Sequence, residues 1–132
     1  VDVDHFKAYN DTLGHQAADV ALQSLADVLA RSSREGDTVY RYGGEELLVV
    51  MRETTSDGAR EHAERLRSAV EHHFEAPGQP RSVTISIGVA SIPDHATAAD
   101  ALVAAADGAL YEAKRGGRNR TCVALAGHLS RH

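Results

Sequence analysis

Three short stretches of this chain carry residue types that can do chemistry. They are Asp2-Val3-Asp4-His5-Phe6-Lys7, Gly43-Gly44-Glu45-Glu46 and Lys114-Arg115-Gly116-Gly117-Arg118. The first two supply acids and the third supplies cations. In an extended strand Asp2 and Asp4 point to the same face. Should the Gly-Gly hairpin lie beside that strand, carboxylates converge at one sheet end, with Glu45 at the hairpin apex. Converging carboxylates repel one another and call for a cation. Oxygen-only ligands suit Mg²⁺, which keeps waters and takes one or two carboxylates plus substrate phosphates. Such a site suits phosphoryl transfer, where the metal neutralises charge on the transferring group. Taken singly, each stretch has a plainer reading. Asp2 and Asp4 fit a solvated strand face, and Glu45-Glu46 fits a charged hairpin tip that discourages edge pairing. Lys114 and Arg118 fit cations near a helix C-terminus.

The elements that must position these residues follow from periodicity. Val1 to Asp4 alternates like the end of a strand. Asn10-Asp11-Thr12-Leu13-Gly14 is rich in turn formers. From Ala17, the residues Leu22, Leu25, Ala26 and Leu29 mark one buried helical face, and Gly36 ends that unit. Val39–Tyr42 and Leu47–Met51 read as strands around Gly43-Gly44, a pair able to supply the positive φ of a tight hairpin. Val49-Val50-Met51 reads as buried on both sides. Thr55 or Ser56 caps a long helix with Ala59, Ala63, Leu66 and Val70 on its core stripe. Pro77 to Pro80 is a loop, and Val83 to Val89 is the clearest strand. Thr97-Ala98-Ala99-Asp100 resembles a capping box. The helix after it runs to Lys114 or Arg115 with Leu102, Ala106, Ala109 and Ala113 inward, and stops at Gly116-Gly117. Thr121 to Leu125 suits a last edge strand.

The order is β-α-β-β-α-β-α-β. This predicts an α+β fold of the ferredoxin-like, split β-α-β kind, an antiparallel sheet with helices on one side. The 132 residues suit one domain. The domain is expected over 1–127, with 128–132 as a tail. Hydrophobic residues make up 42% and charged residues 25%, as in a globular protein. The net charge of −5 argues against nucleic-acid binding. No apolar run reaches the ~18 residues of a membrane span. The one cysteine, Cys122, fits a reducing, cytoplasmic setting.

In their order along the chain, these blocks resemble the GGDEF family of diguanylate cyclases. The resemblance rests on Asp2-Val3-Asp4-His5-Phe6-Lys7, Asn10-Asp11, Gly14-His15, Asp19, Arg41-Tyr42-Gly43-Gly44-Glu45-Glu46-Leu47, Ser86-Ile87-Gly88-Val89 and Ala106 to Lys114. A lone Gly-Gly-acid-acid is weak, whereas the ordered set is specific. The family's palm-like nucleotidyl-cyclase fold carries a helix and most of a first strand ahead of this start, so the resemblance implies an N-terminally truncated domain.

The resemblance also implies roles. Asp2, the main-chain carbonyl of Val3, and Glu45 match the ligands of Mg²⁺ or Mn²⁺. Glu46 matches the second signature acid, and Lys114 is grouped with both glutamates as catalytic. Asn10 and Asp19 match guanine contacts, an acid being the right acceptor for guanine and the wrong one for adenine. Lys7, Lys114, Arg118 and the amides of His5, Phe6 and Lys7 match the surroundings of the triphosphate. Arg34 and Asp37 match an R-x-x-D inhibitory site for the product, with Arg65 as a secondary contact. The implied reaction joins two GTP into cyclic di-GMP and two pyrophosphates across a homodimer, under an upstream sensory domain. The alternative is a non-catalytic module that senses GTP or cyclic di-GMP. Ala18 and Leu47 depart from the family's usual glycine and phenylalanine.

Overall fold

The computed structural model describes residues 1–125; the expected tail at 128–132 lies outside them. The elements run β1 (Asp2–Val3), α1 (Phe6–Leu13), α2 (His15–Ser32), β2 (Thr38–Arg41), β3 (Leu47–Val50), α3 (Ser56–Glu75), β4 (Ile85–Val89), α4 (Ala99–Arg115) and β5 (Thr121–Val123). The α+β class and the alternation of elements are as the sequence predicts. β4 is central: it pairs antiparallel with β1, Asp2 opposite Ser86, and parallel with β5, Ile87 opposite Thr121. β2 and β3 form an antiparallel ribbon, Thr38 opposite Val50 and Arg41 opposite Leu47. A single bridge, Asp2 to Glu46, links this ribbon to β1.

Two expectations about the sheet need correction. It is not wholly antiparallel, because the α4 crossover from β4 to β5 brings the chain back in the same direction. Nor do the helices share one side. Ile85, Ile87 and Val89 pack into one core with Leu22, Leu25 and Leu29 of α2 and Leu66, Val70 and Phe74 of α3. The intervening Gly88 meets α4 from the other face, where a Cβ would fall 2.1 Å from the Ala106 carbonyl oxygen. Alternation along β4 therefore separates α2 and α3 from α4.

Of the four helices among the described residues, only α3 has a side-chain N-cap. Thr55 is the N-cap of α3, its hydroxyl accepting from the Gly58 amide at 3.0 Å. At α4 the N-cap is Ala98 and no side chain caps it; Asp100 instead accepts from the Ala101 amide, so the expected Thr97–Asp100 capping box does not form. The stretch expected to turn at Asn10–Gly14 is mostly helix, with the reversal confined to Gly14 at φ 95°. Phe6 and Tyr9 stack with centroids 6.3 Å apart, and Tyr9 is buried, which is what holds this short helix down.

Two burial patterns also differ. Val50 is 43% exposed, and Val49 and Met51 are half-buried rather than covered on both sides. On α4 the buried residues are Ala105, Ala109, Leu110 and Ala113, while Leu102 and Ala106 are half-buried. Both differences trace to one apolar groove of about 560 Å³. It runs between β3 and β4, with Ala59, Ala63 and Leu66 of α3 and Leu102, Ala106 and Leu110 of α4 among its walls.

Candidate active site

The hairpin does lie beside β1, the condition for carboxylates to converge. The Val3 amide donates to the Glu45 carbonyl at 3.2 Å, and the Leu47 amide donates to the Val1 carbonyl at 2.8 Å. Within the loop the Tyr42 and Gly43 amides both donate to the Glu46 carbonyl, at 2.9 and 3.2 Å. The Arg41 guanidinium ties down the Gly43 and Gly44 carbonyls at 3.2 and 2.7 Å. Neither glycine has a positive φ, against expectation: positive-φ glycines among the described residues are Gly14, Gly36, Gly78 and Gly117. A Cβ at Gly44 would meet nothing within 4 Å. The wider loop relieves the turn of the strain that would demand glycine, and the bare backbone is left open to an approaching molecule.

Asp2 and Asp4 are both buried, at 5% and 8% exposure, which removes the solvated-strand reading. They share the face that Thr84, Ser86 and Gly88 present: Asp2 stands opposite Ser86, and the Asp4 amide continues the ladder to the Thr84 carbonyl at 2.9 Å. β1 ends at Val3, and the chain turns through His5 in a left-handed conformation, φ 56°, into α1. Asp2 meets α4: its Oδ2 pairs with the Lys114 ammonium, while its Oδ1 is buried with no hydrogen-bond partner. Asp4 accepts from the Thr84 hydroxyl at 2.8 Å, the Ser86 hydroxyl at 2.6 Å and the Asn119 amide at 2.9 Å.

An orphaned buried carboxylate oxygen is costly in water-free surroundings unless a cation or donor meets it. The residues present fit a small divalent ion in that respect: Asp2 Oδ1 is free, and the Glu45 hairpin runs alongside. No group of three or more His, Cys, Asp or Glu gathers among the described residues. A set of two carboxylates and a carbonyl matches the habit of Mg²⁺, which takes its other ligands from water and phosphate. Glu45 is exposed and Glu46 half-buried.

The cations and amides expected around a triphosphate surround the same end of the sheet. Lys114 is drawn onto Asp2. Gly117 at φ 121° ends α4, and the Arg118 amide donates back to the Ala113 carbonyl at 3.0 Å, leaving Arg118 exposed. His5 supplies no side-chain cap to α1, so the first-turn amides around Phe6 and Lys7 are not taken by a capping side chain, an arrangement that suits an anion. Asn10 on α1 is half-buried; Asp19 on α2 is exposed and lies 3.5 Å from His15. Ala18 and Leu47, where the chain departs from the family's usual residues, are 1% and 4% exposed and pack in the core.

Arg34 and Asp37 form a second cluster, at the turn between α2 and β2. The Arg34 amide donates to Asp37 Oδ2 at 3.0 Å, and the Arg34 guanidinium donates to the Thr54 hydroxyl at 2.6 Å. Sequence reasoning missed a third member, His62, 2% exposed on α3. Its position between Ala59 and Leu66 on the apolar stripe was the available signal. The Arg65 guanidinium can only donate, so its 3.2 Å contact makes His62 Nδ1 the acceptor. The proton then sits on Nε2, 3.6 Å from Asp37 Oδ2.

Burial lowers the His62 pKa below its ordinary value, reinforced by the Arg65 and Arg34 guanidinium groups and opposed by Asp37. The unfolded chain thus takes up a proton that the folded chain resists. Stability is full above the unfolded value of about 6.5 and falls as the pH drops from there toward the lowered folded value. Urea denaturation across this window should show a steeper decline in the wild type than in His62→Gln. Parallel curves would show that His62 does not carry the effect.

The sequence matches the family model described as "Diguanylate cyclase, GGDEF domain" over residues 1–120. The chain belongs to the GGDEF family. It is 43% identical over 124 residues to Diguanylate cyclase A of Treponema denticola, an alignment covering 93% of this chain and 33% of that protein. It is 41% identical over 127 residues to Diguanylate cyclase DgcP of Pseudomonas aeruginosa, covering 94% of this chain and 18% of that one. The chain thus spans a third or less of either relative. Among solved structures it resembles the active GGEEF domain of a diguanylate cyclase from Vibrio cholerae, with a TM-score of 0.84, 33% identity and coverage of 93% and 78% of the two chains. It also resembles the GGDEF domain of DgcB from Caulobacter crescentus in complex with c-di-GMP, with a TM-score of 0.76, 35% identity and coverage of 92% and 73%. No helix among the described residues is long and apolar enough to cross a membrane.

Proposed function

We propose that this GGDEF domain condenses two GTP molecules into cyclic di-GMP, releasing two pyrophosphates. The observation that carries the reading is the buried Asp2, with Lys114 on one oxygen and nothing on the other, beside the Gly43-Gly44-Glu45-Glu46 hairpin. Asp2, the Val3 carbonyl and Glu45 would hold Mg²⁺ or Mn²⁺, which supplies neutralisation of triphosphate charge when bound. Lys7, Lys114, Arg118 and the amides of His5, Phe6 and Lys7 would bind the phosphates. Asn10 and Asp19 would read the guanine edge. Glu46 would assist loss of the proton from the attacking 3′-hydroxyl. Catalysis is then mainly positioning and electrostatics.

Each domain would hold one GTP, and each 3′-hydroxyl would attack the α-phosphorus of the other nucleotide. The reaction therefore needs a homodimer, and an upstream sensory domain would govern how two copies meet. The direct test is incubation of the intact protein with GTP and Mg²⁺, followed by chromatography for cyclic di-GMP. GTP binding without product would favour a sensing module instead.

Arg34 and Asp37, with Arg65, would bind the product and inhibit. A guanidinium fork suits phosphate and guanine edges alike. Arg34→Ala should raise the cyclic di-GMP concentration for half-inhibition by about tenfold or more, the worth of one charged hydrogen-bonded contact. Unchanged inhibition would leave Arg34 and Asp37 as a turn-stabilising pair.

A further inference from the structure

Asp4 lies next to the proposed site on the same sheet face as Asp2, and its three hydrogen-bond donors come from β4, its lead-in and the turn after α4. That turn is unusual. Arg118 and Asn119 are both left-handed, at φ 66° and 46°, a conformation that asparagine visits readily and arginine rarely. The surroundings grip Asn119 at both ends. Its amide donates to Asp4 Oδ2 at 2.9 Å. Its side chain donates to Glu71 at 2.8 Å and accepts from Arg67 at 2.8 Å. Arg118 itself is exposed.

We propose that Asp4 is a positioning residue for nucleotide binding: it pins the Arg118–Asn119 turn against the end of β1, so that Arg118 faces the triphosphate beside Lys114 and Asp2. The proposal rests on the reading of Arg118 as a triphosphate contact. A buried carboxylate with three donors is rigid, and rigidity in a supporting residue is what keeps a flexible arginine within reach of its target.

The test uses the intact protein with Mg²⁺ and two probes. One is 3′-deoxy-GTP, which lacks the attacking hydroxyl and so binds without turnover; the other is 3′-deoxyguanosine, which lacks the phosphates. Calorimetry should show Asp4→Ala weakening the triphosphate by about tenfold and the nucleoside by less than about twofold. Asp4→Asn should recover most of the loss, since its carbonyl oxygen still accepts the Asn119 amide. Should Asp4→Ala fail to fold, Thr84→Val removes one of the two donors on Asp4 Oδ2, loosens the carboxylate that holds the Asn119 amide, and should show the same selective loss in smaller measure. In an Arg118→Ala background, either substitution should cost less than about twofold more. Equal losses for both probes, or a full loss persisting without Arg118, would overturn the proposal. If Arg118→Ala alone left triphosphate affinity unchanged, the triphosphate reading of Arg118 would fall, and the role of Asp4 with it.

Discussion

Glu45→Gln should abolish cyclic di-GMP formation while leaving the fold intact. The substitution keeps the shape of the side chain and removes its charge. Glu45 is exposed, and its structural duty is discharged by the backbone carbonyl that accepts from Val3. An exposed change of this kind shifts stability by no more than about 0.5 kcal/mol. The catalytic loss should be far larger. In the proposed site, charge on the transferring phosphoryl group is balanced by few groups, and removing one preorganised electrostatic partner costs about 10²–10³ in rate. Chromatography of the reaction products measures the rate, and thermal unfolding checks the fold. Wild-type turnover in the variant would remove Glu45 from the metal set. Retained GTP binding with no product would show that binding and chemistry separate at this residue.

Gly88→Ala should destabilise the domain by about 3 kcal/mol or more, the upper range for overpacking a core. A Cβ there would stand 2.1 Å from the Ala106 carbonyl oxygen and 2.4 Å from the Leu110 nitrogen, where ordinary contact is 3.4–4 Å. These neighbours are helix backbone, which cannot swing aside as a side chain can. To admit the methyl, α4 must move away from β4 as a body. That motion would also draw Lys114 from Asp2, so residual activity should fall together with stability. A total stability of about 5–15 kcal/mol makes this a large fraction. Urea denaturation gives the number; a loss below about 1 kcal/mol would mean that α4 and β4 do not meet this closely in solution.

Much of this molecule was legible along the chain, because it depends on neighbours within a few residues. Helical periodicity placed α2 and α3, with Leu22, Leu25 and Leu29 and then Ala59, Ala63, Leu66 and Val70 buried as expected. Thr55 capped α3, and Gly116-Gly117 ended α4. The ordered blocks from Asp2 to Lys114 carried the family. Where local signals competed, they misled. Asn10 to Leu13 favours turns by composition, yet stacking of Phe6 on Tyr9 and the burial of Tyr9 make it helix. Thr97 and Asp100 had capping spacing, but the helix starts at Ala99.

What only the tertiary structure decided was which distant groups meet. Asp2 and Asp4 are two residues apart on one strand face, yet they meet different partners. One carboxylate goes to Lys114 and the other to Thr84, Ser86 and Asn119. His62 looked like one more polar residue on α3 until Asp37 and Arg65 closed around it. Gly88 had a place in a strong strand and in a family block, but its close contact with α4 is visible only in the packed structure. Strand and helix periods report only which face a residue occupies; the partner waiting on that face is set by how the whole sheet and its helices pack.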